Sequence, residues 1–462
     1  MKNRTIDKAS YISSIIMLAI FLIPTGDILI AREGTGNPVA DVFRVMELAS
    51  DSKIDKLWPG FMVDKIPVLV YDSLNTYLFN SDNGAEGFVE SDINHEVYVF
   101  KGQHPMVRGN SIVRMEDNWT ATSILSSFSR RTGEKYDLKD MAGIIVHEQF
   151  HIFQRTHHPG WLQNDGLLLI YPEETVEALL LRRMEKEAFK RAVVSETTEQ
   201  IAGWVKLGMQ KREERLDLVP YEFANYENEL QLSEGLSDYI EKRARDQHPH
   251  AAMDITNGIA PAGIRDLGYV EGRWMAMILD SLKPGWKLYL EENDSLYLED
   301  ILNELVDKLP FQKKAFGPQE MDKMKEDAEK DFMEWQERKK AEIEGFYEMP
   351  GYSIEFRSSD DPFVIRLFEP LEIEILDDGG VYHRLIFMAG NESGNLRIRN
   401  HPCITWFNSA YRLTKLMVTG LQQEPGINEN EKKLTINENG ISIQLNYTGF
   451  SKDNNRYIFD LR

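Results

Sequence analysis

The sequence predicts an α+β protein with a β-rich N-terminal region, a helical middle and a C-terminal all-β domain. Residues 32–131 contain short β-branched and aromatic runs between Asp, Asn and Gly turns. Residues 132–346 instead place apolar side chains at helical spacing, and residues 351–462 return to alternating strands. At 462 residues, the chain is long enough for two or three domains.

Residues 1–31 are predicted to be a targeting segment that does not belong to the fold. Lys2, Arg4 and Lys8 precede an apolar stretch over residues 11–23, which is shorter than the roughly 20 residues that a membrane span needs. This pattern indicates a signal peptide or an N-terminal anchor. We therefore expect an exported protein, in a bacterial periplasm or in the extracellular space.

The net charge and the cysteine count of the chain indicate which binding partners and which cellular compartment to expect. The chain carries 53 Lys and Arg against 75 Asp and Glu, which gives a formal net charge of -22. Such a charge argues against nucleic acid and against an anionic membrane surface as partners. Cys403 is the only cysteine, so no intrachain disulfide can form, and this favours bacterial export over a eukaryotic secretory route.

The β-rich region is predicted to begin with a short helix at Val42–Glu47. Strands are then expected at Pro67–Tyr71, Thr76–Phe79 and Glu96–Phe100, each bounded by turn-forming residues. A buried, capped helix follows this region. Asp137 is suited to its N-cap position, and proline and glycine end it near His157–Gly160.

This helix carries the sequence His147-Glu148-Gln149-Phe150-His151, which reads H-E-x-x-H. Two imidazoles four residues apart lie on one helical face, so both can bind a single metal ion. Glu148 projects beside that face, where it can take the proton of a water molecule that the metal activates. Burying these three groups in an apolar helix without a metal would be costly, so the pattern indicates a metal site.

A catalytic zinc site needs a third protein ligand and leaves its fourth position for water. The segment from Glu227 to Glu241 supplies Glu234 and Asp238, which share one face of a predicted helix. Glu234 is therefore the candidate third ligand. Asp238 is the candidate hydrogen-bond partner for the outer nitrogen of one metal-binding histidine.

These two segments resemble the gluzincins, the zinc peptidases that thermolysin and the zinc aminopeptidases typify. The resemblance implies zinc as the cofactor and the following roles: zinc ligands His147, His151 and Glu234, general base Glu148, and outer partner Asp238. It also implies a zincin-like body over residues 32–346, in which a sheet precedes the metal helix. The edge strand of that sheet, which pairs with the substrate in the family, corresponds here to Val97–Phe100.

Two alternatives for the third ligand stay open on the sequence. His157 lies at the offset of the third histidine in the metzincin motif, but Gln154 stands where that motif has its glycine. If the helix continues through Gln154, His157 points away from the other two histidines. The other candidates lie at a predicted helix start, where acids also match the helix dipole, and are Glu173, Glu174 and Glu177. About eighty residues separate His151 from Glu234, so we expect a helical insertion between them.

Three further helices are predicted, over residues 172–194, 269–282 and 321–346. Near the start of the second, Arg265 and Tyr269 lie four residues apart. Zinc peptidases commonly use a Tyr or His to stabilise the oxyanion, so Tyr269 is the candidate donor, with Arg265 as its partner. The plainer interpretation is a tyrosine packed at the start of a helix.

Residues 351–462 are predicted to form a β-sandwich-like accessory domain. Its alternating strands are expected at Ser353–Arg357, Phe363–Leu367, Leu371–Ile375, His383–Phe387 and Ile441–Leu445. The chain as a whole is thus predicted to be an exported zinc-dependent peptidase in which Glu148 activates water on the metal and a peptide or protein is the substrate. The alternative is a zincin-fold protein that binds zinc without proteolysis and acts as a binding or scaffold module.

Overall fold

The computed structural model describes residues 38–51, 53–125, 137–245, 262–358, 363–408 and 412–461. The predicted targeting segment lies outside these residues. The described residues have a mixed α+β structure and divide into two compact units. Residues from 38 to 347, with Pro370–Asp377, form the first unit, and residues from 348 to 369 and from 378 to 461 form the second.

A mixed sheet lies near the start of the first unit and follows helix α1 (Pro38–Ala49). Its strands are β1 (Val68–Tyr71), β2 (Asn75–Phe79), β3 (Val89–Glu90), β4 (Tyr98–Lys101), β5 (Ser111–Met115) and β6 (Asn118–Ile124). The strand order is β3-β4-β2-β1-β6-β5, and β1 runs parallel to β6. Since β4 lies between β3 and β2, the prediction that residues 97–100 form an edge strand is wrong, and β5 is the long edge strand.

Helices form most of the remaining first unit. They are α2 (Leu138–His157), α3 (Val176–Val193), α4 (Thr198–Leu216), α5 (Tyr221–Leu230), α6 (Leu236–Ala244), α7 (Ala262–Leu282), α8 (Trp286–Glu291), α9 (Leu298–Lys308) and α10 (Pro318–Tyr347). A π-helical turn, Gln231–Gly235, joins α5 to α6. The stretch between His151 and Glu234 is therefore helical, and the second predicted helix of the site contains a π-helical turn.

Helix α2 begins and ends where the sequence predicts. The side chain of Asp137 accepts a hydrogen bond of 2.7 Å from the backbone N–H of Asp140, which caps the first turn. The helix ends at His157, directly before Pro159 and Gly160. Its middle is buried because it packs against β5 and β6 on one side and against α6 on another.

The π-helical turn and helix α7 approach to backbone contact at glycines. A Cβ atom on Gly235 would lie 2.6 Å from the Cα atom of Gly272, and a Cβ atom on Gly272 would lie 2.6 Å from the carbonyl oxygen of Gln231. Gly268, one turn earlier on α7, packs directly on Leu230. Because no side chain separates the turn from the helix here, neighbouring side chains of α7 can reach across to the π-helical turn.

Buried ion pairs hold the inserted helices α3, α4 and α5 together. Arg215 of α4 makes two hydrogen bonds of 2.9 Å to Glu227 of α5 and one of 2.7 Å to Glu185 of α3. Arg212, one turn before Arg215, binds the other oxygen of Glu185 at 2.9 Å. Breaking such a buried pair leaves an uncompensated charge and costs about 3–5 kcal/mol. The network therefore fixes α5, and with it the start of the π-helical turn.

The second unit consists mainly of β-strands. They are β7 (Tyr352–Ser358), β8 (Val364–Phe368), β10 (Gly380–His383), β11 (Ile386–Asn391), β12 (Gly394–Arg399), β13 (Cys403–Phe407), β14 (Leu413–Leu421), β15 (Gly426–Asn428), β16 (Lys433–Glu438), β17 (Ile441–Asn446), β18 (Gly449–Asp453) and β19 (Arg456–Leu461). Strand β9 (Ile373–Ile375) belongs to the segment of the first unit. The single strand predicted at His383–Phe387 is instead the end of β10 and the start of β11.

Two sheets face each other in the second unit. One contains β18-β19-β7-β14-β13-β10 in that order, and the other runs β15-β16-β17-β12-β11-β8. His383 of the first sheet packs against the rings of Phe368 and Phe387 in the second, with ring centroids 6.0 and 4.7 Å away. This packing resembles the predicted sandwich, and it buries an imidazole between the sheets.

The buried imidazole predicts acid sensitivity of the second unit. Burial lowers the pKa of His383 to about 3, and its Nε2 lies 2.8 Å from Oγ1 of Thr405. The unfolded chain takes up a proton near pH 6.5 and the folded chain does not, so stability decreases by up to about 1.4 kcal/mol per pH unit between pH 6.5 and 3. Chemical denaturation at pH 7 and pH 5 should show this loss in the wild type and not in His383→Gln. An equal loss in both proteins would contradict it.

Among the described helices, none combines the length and the apolar character that crossing a membrane requires.

Candidate metal centre

Three side chains from two helices converge on one point. Nε2 of His151 lies 3.0 Å from Nε2 of His147 and 3.1 Å from Oε2 of Glu234, and the remaining edge, from His147 to Glu234, is 3.6 Å. A tetrahedral zinc ion with bonds of about 2.0–2.1 Å places its ligand atoms about 3.3–3.4 Å apart. The three atoms therefore have the spacing of ligands that share one small metal ion.

The site depends on how α6 lies along α2. Ser237 of α6 contacts His151, Glu241 contacts His147, and Arg245 packs over Gly143. The contacts step by four residues along each helix in opposite directions, so the two helices are antiparallel and meet in a regular register. In this register, Glu234 reaches the two imidazoles from the π-helical turn that precedes α6.

Gln154 holds His151 in the orientation that a metal requires, a role that the sequence motif does not indicate. The amide Nε2 of Gln154 donates hydrogen bonds of 2.9 and 3.0 Å to the carbonyls of Leu232 and Ser233. Its Oε1 is thereby turned toward Nδ1 of His151, 3.0 Å away, and accepts that N–H. With the proton on Nδ1, the lone pair of Nε2 faces the other two ligand atoms.

The carboxylate beside His147 belongs to Glu241. Its Oε2 lies 3.1 Å from Nδ1 of His147, whereas Asp238 contacts Arg273 and lies 3.4 Å from Lys242. Asp238 was the expected partner of a metal histidine, and Glu241 takes its place as an ion-pair neighbour of His147. Ser237, Glu241 and Arg245 of α6 contact α2, whereas Asp238 contacts Arg273 of α7.

Substitution of these two carboxylates separates their roles. Glu241→Gln should weaken zinc binding by about 10- to 100-fold, because a charged partner raises the basicity of the imidazole and orients it. Asp238→Asn should lower thermal stability through the loss of its pair with Arg273, and should leave zinc affinity near the wild-type value. Competition with a chromophoric chelator measures both affinities. Equal weakening by the two substitutions would rule out a specific role for Glu241.

Glu234 is anchored through its second oxygen. Arg265 of α7 donates to Oε1, and the same guanidinium binds Asp165, which also accepts a hydrogen bond of 2.9 Å from the hydroxyl of Tyr226. Although burial raises the pKa of Glu234, the charges of Arg265 and His151 hold it well below the usual range. Glu234 is thus a fixed carboxylate that presents Oε2 to a metal. Arg265 therefore holds Glu234, and its charge also acts on the neighbouring Tyr269.

The metal-binding group favours a positive charge at its centre. Burial lowers the pKa of His147, but its contacts with Glu234 and Glu241 raise it, with a net rise to about 10. Glu148, Glu234 and Glu241 thus surround two imidazoles whose Nε2 atoms lie side by side. A metal ion fits this donor set because it supplies the charge and lets both imidazoles bind as neutral ligands.

Glu148 is buried beside the two imidazoles. Burial raises its pKa to about 7, although the charges of His147 and His151 oppose this rise. Within the described part of the chain, its carboxylate has no hydrogen-bond or ion-pair partner. A carboxylate that has no fixed partner and a pKa near neutral has the character of a general base.

Tyr269 lies beside His147. Its ring stacks on His147 with centroids 6.0 Å apart and an angle of 12° between the planes. Burial and the negative charge of Glu234 raise its pKa well above 10, so the phenol keeps its proton and can donate a hydrogen bond. It lies within α7 and not at the helix start, because α7 begins at Ala262.

The rival ligands lie elsewhere. His157 is exposed, and its Nδ1 lies 3.1 Å from the carbonyl of Phe153. Glu173 binds Lys339 at 2.8 Å, Glu174 lies 3.6 Å from Arg182, and Glu177 is exposed. In the residues that the structure describes, the one group of histidines and carboxylates that could hold a metal ion is His147, His151 and Glu234.

The chain matches no protein-family model, no curated protein and no solved structure with which it was compared.

Proposed function

We propose that the protein is a zinc-dependent peptidase. The observation that carries the proposal is the triangle of His147, His151 and Glu234, with edges of 3.0, 3.1 and 3.6 Å, beside the unpartnered carboxylate of Glu148. Two neutral imidazoles and one carboxylate form the donor set of catalytic zinc in several peptidases. Zinc bound to this set supplies the acidity that makes water a nucleophile at neutral pH.

Side chains of the protein carry out the proton transfer, stabilise the developing charge and orient the metal ligands. Glu148 takes a proton from the attacking water and returns it to the leaving amine, which is the role of a general base that becomes a general acid. Tyr269 donates its phenolic proton in a hydrogen bond to the carbonyl oxygen as negative charge develops there. Gln154 and Glu241 keep the two imidazoles oriented. Arg265 holds Glu234 by one oxygen, which leaves the other oxygen for the metal.

The proposal extends to the architecture of the first unit. A mixed sheet followed by a helix with H-E-x-x-H and a second helix with a glutamate ligand is the arrangement expected of a gluzincin with a zincin-like body. Export remains part of the proposal and depends on residues 1–31. The two-sheet unit is proposed to be accessory, since the metal-binding group lies wholly within the first unit.

Metal content and cleavage test the proposal together. Protein purified without chelator should contain about one zinc per chain by elemental mass spectrometry. A mixed peptide library should be cleaved, and removal of zinc with a chelator should abolish the cleavage until zinc is restored. Absence of zinc, even after it is added, would refute the metal site. Zinc without cleavage would instead support a binding or scaffold role.

A further inference from the structure

Arg155 is a partly buried arginine of the first unit, and its contacts differ from those of the fully buried arginines. Within the described residues, it has no ion pair, and its Nε is buried without a hydrogen-bond partner. The chain has a net charge of -22, so carboxylates outnumber cations. Five fully buried arginines of the first unit each contact at least one carboxylate, and they are Arg182, Arg212, Arg215, Arg245 and Arg265.

The position of Arg155 connects it to the metal site. It lies one helical turn beyond His151 on α2 and seven residues beyond Glu148. Seven residues are nearly two turns, so Arg155 and Glu148 project from the same face of the helix about 10 Å apart along its axis. This face lies toward the sheet, because the guanidinium of Arg155 sits 4.7 Å from the ring centroid of Trp119 on β6.

The guanidinium of Arg155 stacks on the face of the Trp119 ring. A guanidinium that stacks on an aromatic ring keeps the N–H groups at its edge free for a planar anion. Trp119 pairs with Arg114 of β5, so the stacked pair lies next to the open edge of the sheet. The acidic residues of the neighbouring turn, Glu116 and Asp117, are exposed and form no ion pair with Arg155. Burial lowers the pKa of Arg155, and no described carboxylate offsets this effect.

We propose that Arg155 is the residue that selects the substrate, by binding a carboxylate of the peptide on the face of α2 that carries Glu148. Two parallel N–H groups of a guanidinium match the two oxygens of a carboxylate. An extended peptide advances about 3.3–3.6 Å per residue, so a separation of about 10 Å places this carboxylate about three residues from the bond that is cleaved. The carboxylate can be a free C-terminus or an Asp or Glu side chain.

This inference rests on the proposed peptidase function, and metal-anchored probes test it without requiring turnover. Three tripeptide hydroxamates, each of which binds zinc at one end, are compared on the full zinc-loaded chain. The first ends in a free carboxylate, the second ends in an amide, and the third is amidated but carries one glutamate side chain.

We expect one or both carboxylate probes to bind about 10- to 100-fold more tightly than the amide probe. Arg155→Met, which keeps the apolar contact with Trp119, should abolish this preference, and Arg155→Lys should restore part of it. Lys139→Met removes the same charge from the exposed first turn of α2 and should keep the full preference. Comparison of the first and third probes shows whether the C-terminus or a side chain supplies the carboxylate.

An unchanged preference in Arg155→Met, or equal binding of all three probes by the wild type, would overturn the role of Arg155 and leave the metal site standing. Carboxylate preference without cleavage of any peptide would uphold the role of Arg155 and refute hydrolysis alone. Failure of every hydroxamate to bind the zinc-loaded protein would overturn both proposals.

Discussion

Glu148→Gln is expected to lower kcat/KM for peptide hydrolysis by about 10²- to 10⁴-fold, because it removes the group that accepts the proton of the attacking water. The amide has nearly the same shape, and Glu148 is not one of the three ligands. Zinc content should therefore stay at the wild-type level. The two measurements are peptide hydrolysis under substrate-limited conditions and zinc per chain on the same preparation.

Glu229→Gln is the matched control for this substitution. Glu229 is a half-buried glutamate of α5 whose pKa burial raises to about 7, and its carboxylate accepts a hydrogen bond from Asn225. The chemical change is the same, but the side chain lies outside the metal-binding group. Activity of Glu229→Gln should remain near the wild-type value. If Glu148→Gln retained activity close to that of the wild type, Glu148 would not be the general base.

Gly272→Ala is expected to cause the second large effect, on the stability of the fold and on the site together. The added Cβ atom would lie 2.6 Å from the carbonyl oxygen of Gln231 and 2.7 Å from the Cα atom of Gly235. Both atoms belong to backbone, so α7 must move away from the π-helical turn. Overpacking of this kind typically costs about 1–3 kcal/mol. The movement also separates Arg265 and Tyr269 from Glu234, so zinc affinity should decrease.

The control for the glycine substitution is Gly345→Ala. Gly345 lies in α10, and a Cβ atom there would meet no atom within 4 Å. Alanine is favoured over glycine by about 1 kcal/mol in a helix interior, so Gly345→Ala should raise stability slightly and leave zinc affinity unchanged. Denaturant unfolding and zinc titration of both variants provide the comparison. Wild-type zinc affinity in Gly272→Ala would show that the close helix contact does not position the ligands.

Local signals in the sequence were sufficient to predict the metal-binding helix, α2. The cap at Asp137, the apolar periodicity and the end near His157 depend on residues within a few positions of one another. The spacing of His147 and His151 places them on one face wherever the helix lies in the fold. The sequence left more than one candidate for the third metal ligand. The structure brings Glu234 to the two histidines and leaves His157 exposed.

The spacing of residues in the sequence was not sufficient to predict which side chains contact the outer nitrogens of the two histidines. Asp238 and Glu241 lie on the same helix, and the choice between them depends on how α6 is rotated against α2. That rotation follows from the π-helical turn before α6 and from the glycine contact with α7. In the sequence, Gln154 stands where the metzincin motif has a glycine, and this position does not indicate a role. Its role depends on the carbonyls of Leu232 and Ser233, which are distant in the chain and accept hydrogen bonds from its amide.

The sequence by itself therefore determined the mixed α+β class, the capped helix and the pair of histidines on one face, because short-range sterics, capping and helical periodicity set these features. The tertiary structure decided which distant carboxylates meet these histidines. It also decided that Arg265 serves Glu234, that Tyr269 stacks on His147, and that Arg155 lies over Trp119 without a carboxylate partner among the described residues. Such pairings join residues far apart in the chain, and their geometry depends on the packing of whole helices and strands.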